Sequence, residues 1–225
     1  MNASAKQHLI ITLDGPAGAG KSTVAKSLAH RLGVSYLDTG AMYRALTLKA
    51  LSLKVDLTNE AVLTDLAKTT AINFKAMPDN SLHVTLDGQD VAQEIRSFEV
   101  TNNTFYTAKA AGVRAILVEQ QKAFGAKMSL VSDGRDQGTV VFPNAKYKFY
   151  VDADFEERFG RRLRELREAG KVVDEKQLYA DMQERDHKDF NRAVGPLKKA
   201  DDAIVIDSTG CNVEQTVDRI MKYIK

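Results

Sequence analysis

Eight consecutive residues, Gly15, Pro16, Ala17, Gly18, Ala19, Gly20, Lys21 and Ser22, fit the pattern G-x-x-x-x-G-K-[ST], and their flanks restrict the fold of the chain. Residues 9–13 form a short apolar, β-branched run ended by Asp14 and Gly15, as expected of a strand covered on both faces. Beyond the loop, Val24, Ala25, Leu28, Ala29 and Leu32 recur at helical spacing, and Gly33 stands where a helix needs a left-handed end residue. Strand, glycine-rich turn and helix in that order open a parallel α/β sheet. Glycines let backbone N–H groups converge on phosphate oxygens, and the positive end of the following helix points the same way. Lys21 is then expected to hold β- and γ-phosphates, and Ser22 a magnesium ion.

The α/β rhythm continues and is then interrupted. Residues 34–37 read as a second strand, with Asp38 and Thr39 able to cap a helix through Met42, Ala45, Leu46 and Leu53. After a helix around residues 61–67, residues 72–74 and 82–86 alternate with the period of two. Turn signals at 77–80 and at Asp87-Gly88 mark a small antiparallel insert. Helical signals return over 102–124, and further strands are expected at 128–132, 146–151 and 203–206. The result is an α/β fold with a central parallel sheet of about five strands flanked by helices. At ~150 residues per domain, 225 residues suggest one core with insertions, and no linker or repeat divides residues 1–225.

Composition narrows the class of partner. The 32 Lys+Arg and 30 Asp+Glu give a net charge of +2, which argues against binding nucleic acid through bulk charge. Cys211, the one cysteine, can form neither an intrachain disulfide nor a multi-cysteine zinc site. No apolar run approaches the ~18 residues of a membrane span, and the first residues are too polar for a secretory segment. A cytoplasmic protein with no nucleic-acid or membrane partner is therefore expected. His8, His30, His83 and His187 are scattered and read as surface residues.

A phosphate loop serves kinases and nucleotide switches alike. No Asn-Lys-x-Asp tetrapeptide for reading guanine occurs, which weakens the switch reading. Arginines favour the kinase. Residues 155–167 read as a helix with Phe155, Phe159, Leu163 and Leu166 on one stripe. Arg158 and Arg162 flank that stripe and are candidates for a closing helical lid that brings guanidinium groups to the transferring phosphoryl. Arg164 and Arg167 read as solvated, and Glu157 with Arg161 as a weak surface pair. From Asp174 a second helix carries Leu178, Met182, Arg185, Asp189 and Arg192 at spacings of 4, 3, 4 and 3, so charges continue an apolar face. That face either emerges into water or lines a polar site, and Pro196 is expected to end the helix. Arg135 and Asp136 follow the strand at 128–132, where parallel sheets bind ligands.

A phosphate acceptor carries about −1.5 to −2 charge, and bringing it to a γ-phosphate opposes two anions. Arg44, Arg114, Arg135, Arg185 and Arg192 could neutralise it. Because a phosphate oxygen is already deprotonated, no general base is needed, and catalysis reduces to positioning and charge stabilisation. A kinase for another small anionic metabolite, or a nucleotide switch, remains open on these grounds.

Four segments resemble the bacterial cytidylate kinases. They are the loop from Gly15 through Thr23, residues 37–44 (LDTGAMYR), residues 133–143 (DGRDQGTVVFP) and residues 184–192 (ERDHKDFNR). The resemblance implies a P-loop kinase that transfers the γ-phosphoryl of ATP, with Mg2+, to CMP or dCMP, and that is a monomer. It gives Lys21, Arg135, Arg158 and Arg162 to catalysis and residues 15–23 to ATP. It places Thr39, Tyr43 and Arg44 along the CMP site, Arg135 and Arg192 on its phosphate, Arg185 and Asp189 on its ribose, and Arg114 and Asp136 at the cytosine. It further implies a monophosphate-binding insert at about 57–112 and a lid at about 155–172. Phe105 stands where the family's pattern would put a small hydroxyl residue, with Thr104 and Thr107 beside it.

Overall fold

The computed structural model describes residues 8–76 and 82–225. In chain order, β1 (Ile10–Asp14), α1 (Lys21–Leu32), β2 (Ser35–Asp38) and α2 (Thr39–Ser52) open the chain. The insert follows as α3 (Glu60–Lys68), β3 (Ile72–Ala76), β4 (Leu82–Leu86), β5 (Gln89–Asp90), a 3-10 turn (Glu94–Arg96) and α4 (Phe98–Lys109). Then come α5 (Ala111–Gly125), β6 (Leu130–Gly134), a π-helical turn (Gln137–Val141) and β7 (Tyr147–Asp152). The chain closes with α6 (Phe155–Glu168), α7 (Glu175–Asn191), β8 (Ile204–Asp207) and α8 (Val213–Met221).

The main sheet has five strands in the order β2-β6-β1-β7-β8, and each pair is parallel. Every one of its strands ends one or two residues later than hydropathy predicts. The extra residues pair in register as Asp14 with Gly134, Asp38 with Asp133 and Asp152 with Asp207. The apolar run stops where the sheet meets the site, but the hydrogen-bond ladder does not. One sheet edge thereby collects polar groups, which is where α/β folds hold ligands.

Helices cover both faces. Ile11, Leu13, Leu28, Phe149 and Ile220 are among the buried residues packed between the sheet, α1 and α8. Met42, Leu46, Leu63, Val84, Ile95 and Leu117 form a second cluster that joins α2 and α5 to the insert. Each such side chain contributes about 1.5–3 kcal/mol by leaving water. In the insert, Phe74 pairs with Val84 and Leu86 with Gln89, and Asp87 (φ 49°) with Gly88 (φ 87°) makes the tight turn between β4 and β5. The turn expected at 77–80 lies outside the described residues.

Two helix boundaries differ from expectation. The helical signal at 102–124 is two helices, parted at Ala110, whose ψ of 115° is extended. Ala110 is buried in the second core cluster, and Gly112 just beyond it lets α5 approach α3, where a Cβ would stand 2.3 Å from Thr64 Oγ1. At the other end, α7 stops at Asn191 because Arg192 turns extended (ψ 141°), four positions before Pro196. The freed Asp189 carbonyl accepts from the Leu197 N–H at 2.8 Å, so tertiary pairing and not the proline ends the helix.

Candidate active site

The phosphate loop joins β1 to α1 through three glycines with positive φ, Gly15 at 148°, Gly18 at 78° and Gly20 at 79°. A Cβ on Gly15 would stand 2.0 Å from the Val151 carbonyl oxygen, so only glycine lets the loop pass over β7. Gly20 caps α1 without a side-chain partner, which leaves the first-turn N–H groups of α1 available to an anion. Lys21 is buried and donates from Nζ to the Pro16 carbonyl at 2.6 Å. Burial and the Arg135 charge pull its pKa down.

Ser22 is exposed, and its hydroxyl donates to Asp133 Oδ2 at 2.6 Å. The other Asp133 oxygen accepts from the Tyr36 hydroxyl at 3.0 Å. Burial, with the Asp38 charge adding, pushes the Asp133 carboxyl up to about 6. Thr39 donates to the Asp133 carbonyl at 2.7 Å, fixing the start of α2 against β6. Asp38 caps the Ala41 N–H at 2.9 Å and pairs with Arg44 at 2.8 Å.

Across the sheet edge, charged side chains from three elements interlock. Arg114 of α5 is 2% exposed, pairs with Asp136, donates to the Ala108 carbonyl at 3.1 Å and lies 5.4 Å from the Tyr43 ring centre. Arg192 stands 3.9 Å from Asp136 and 3.9 Å from Asp189, and Asp189 takes the Arg135 Nε–H at 2.7 Å. Burial pushes the Asp189 carboxyl up, but Arg135 and Arg185 outweigh it and hold the group below the usual carboxylate range. Arg185 is exposed, with no ion pair or hydrogen bond among the described residues. Tyr43, Arg114, Asp136, Arg192, Asp189 and Arg135 thus form one connected cluster. Thr39 and Arg44 stand beside it at the start of α2. Gly195 (φ 58°) crosses over the Arg114–Asp136 pair so closely that a Cβ would meet both. Sequence reasoning passed over that glycine.

The two arginines expected on a lid occupy different surroundings. Arg158 is buried, donating to the Ala17 carbonyl at 2.9 Å, to Asp186 at 2.6 Å and to the Ala153 carbonyl at 3.1 Å. It grips the phosphate loop backbone. Arg162 is half-buried and pairs with Glu165 of its own helix at 2.8 Å. Arg161 makes the expected bond to Glu157 at 2.9 Å but is no surface residue. It also holds Ser208, at 3.1 Å to the hydroxyl and 2.6 Å to the carbonyl. The Ala17, Asp186 and Ser208 partners are backbone groups or residues far along the chain, so no spacing rule could expose them. Among the described residues, no group of three or more His, Cys, Asp or Glu side chains is placed to hold a metal.

A glycine loop before a helix, on a parallel sheet whose edge gathers arginines and carboxylates, defines a phosphate-binding α/β protein of the P-loop type. A solved structure from Eubacterium ventriosum shares the fold, with a TM-score of 0.53, 19% identity, and coverage of 97% of this chain and 98% of that one. The family model described as Cytidylate kinase matches residues 11–225. A cytidylate kinase of Desulforamulus reducens is 49% identical over 219 residues, covering 97% of this chain and 98% of the relative. One from Klebsiella pneumoniae is 45% identical over 216 residues, covering 96% and 95%. The chain belongs to the cytidylate kinase family.

Proposed function

We propose that this protein transfers the γ-phosphoryl group of ATP to CMP or dCMP, releasing ADP and CDP or dCDP. The observation that carries the reading is the cluster of Arg114, Asp136, Arg192, Asp189 and Arg135 beside the phosphate loop. Arg135 and Arg192 are suited to a phosphate monoester, and Asp136, held by Arg114, to accepting from the amino group of cytosine. Arg185, exposed and unpaired among the described residues, is free to meet a ribose hydroxyl, and Asp189 has its Oδ1, 3.9 Å from Arg192, to offer beside its bond to Arg135. Thr39, Tyr43 and Arg44 line the same side from α2.

On the donor side the loop, residues 15–23, cradles the triphosphate of ATP. Lys21 is poised to exchange the Pro16 carbonyl for phosphate oxygens. The Ser22 hydroxyl and the Asp133 carboxylate are hard oxygen donors beside the loop, with no dense carboxylate cage around them. That donor set fits a magnesium ion that keeps waters and phosphates as its other ligands. Bound there, Mg2+ would supply charge neutralisation across the β- and γ-phosphates. Arg158 orders the loop, and Arg162 is read as the group that would exchange Glu165 for the transferring phosphoryl. The acceptor oxygen is already an anion, so these groups act by orientation and charge stabilisation alone.

We further read residues 1–225 as one catalytic unit with its monophosphate-binding insert at 57–112 and its lid at 155–172, acting as a cytoplasmic monomer. No helix among the described residues is long and apolar enough to cross a membrane. The test is ADP production from Mg-ATP with CMP, dCMP, UMP, AMP, GMP or no acceptor. Rapid turnover confined to CMP and dCMP is expected. Turnover with none of them, in folded protein that binds ATP, would discard the reading.

A further inference from the structure

Asp14 closes β1 and immediately precedes the phosphate loop, yet its carboxylate reaches over to the segment after β6. It is 4% exposed and accepts the Gln137 N–H on Oδ1 at 2.8 Å and the Gly138 N–H on Oδ2 at 2.7 Å. Those two residues open the π-helical turn, whose first N–H groups have no partner inside the turn. Arg135 and Asp136, directly before them, carry the charges offered to the acceptor. The contact is tight on both sides. A Cβ on Gly138 would lie 3.1 Å from Thr12 Oγ1 and 3.3 Å from Asp14 Oδ2.

We infer that Asp14 is a positioning residue: its carboxylate ties the turn after β6 to the strand that carries the phosphate loop, and so sets where Arg135 and Asp136 stand relative to ATP. The inference rests on the acceptor reading of Arg135 and Asp136. Two N–H donors aimed at two oxygens match an ionised carboxylate in particular. An asparagine of the same shape offers one acceptor and turns its NH2 toward the second N–H. Burial pushes the Asp14 carboxyl up to about 6, and the Gly138 and Gln137 N–H groups oppose that rise, so they favour the ionised form.

The test compares Asp14→Asn with Asp136→Ala in steady-state kinetics for CMP, UMP and ATP, together with thermal unfolding. In Asp14→Asn the KM for CMP is expected to rise about tenfold or more, with the preference for CMP over UMP eroded. The KM for ATP stays within about twofold even where the N–H left unpaired lowers the unfolding temperature, and a purely structural role would not produce that split between the two substrates. An unchanged KM and preference, or a KM for ATP that rises in step with that for CMP, overturns the inference. If Asp136→Ala keeps the preference for CMP, the acceptor reading fails and takes the inference with it; if only Asp14→Asn is silent, Asp14 alone is misassigned. Should Asp14→Asn not fold, Gly138→Ala presses on the same contact from the turn and carries the same expectations.

Discussion

Arg192 and Arg158 are both charged residues with carboxylate neighbours, but they differ in what their loss would leave behind. Removing Arg192 leaves Asp136 with Arg114 and Asp189 with Arg135. Arg192→Ala should therefore raise the KM for CMP and lower kcat, together at least about tenfold, with little change in a urea melt. Near-normal kinetics would remove it from the acceptor site. Removing Arg158 strands Asp186, which is 8% exposed and already has one oxygen unpartnered. Arg158→Ala should cost about 3–5 kcal/mol of stability as well as turnover, read from the urea midpoint. The charged continuation of an apolar stripe left both water and a polar site open for Arg185, Asp189 and Arg192; the structure draws Asp189 and Arg192 into the cluster with Arg135 and leaves Arg185 exposed, whereas the grip of Arg158 on the Ala17 carbonyl had no sign in the sequence. A backbone partner 141 positions away leaves no trace in residue spacing. Asp14 also makes a pH prediction. Its carboxyl moves from 3.8 to about 6 on folding, so its contribution to stability is whole below about pH 4 and is lost as pH rises to about 6. Denaturant midpoints of the wild type relative to Asp14→Asn should fall over that interval and level off above it. A rise over the same interval would contradict the assignment.

At the level of elements, period and composition located the strands but not their ends. Each main-sheet strand runs past its apolar stretch into a polar residue, because the ladder is satisfied by its neighbour whatever the side chain. The loop was legible because glycine is required by its backbone. Gly18 stands at φ 78°, where a Cβ would lie 3.0 Å from the Arg158 carbonyl oxygen and 3.1 Å from its Cβ. Gly18→Ala should weaken ATP binding by about tenfold or more while leaving CMP binding largely intact, which calorimetric titration of each nucleotide would separate. The π-helical turn at Gln137–Val141 was invisible for the opposite reason. Its N–H groups are satisfied by Asp14, on a strand 123 residues earlier, and not by any local cap.

The whole molecule brings opposite demands to one sheet edge. Its net charge is only +2, yet Lys21, Arg135, Arg114 and Arg192 converge there from the loop, the end of β6, α5 and the end of α7. Such a concentration of cations is stable because Asp133, Asp136 and Asp189 are interleaved with them, and it is available to anions because those pairs can be shared. On the proposed function, donor and acceptor phosphates meet there without a general base. The most direct measurement follows the labelled γ-phosphoryl of ATP through the purified protein in a mixture of CMP and UMP at equal concentration. Label accumulating in CDP, with little in UDP and little as free phosphate, is the predicted result. Label released mainly as inorganic phosphate, or divided evenly between CDP and UDP, would contradict transfer directed by a cytosine-reading acceptor site.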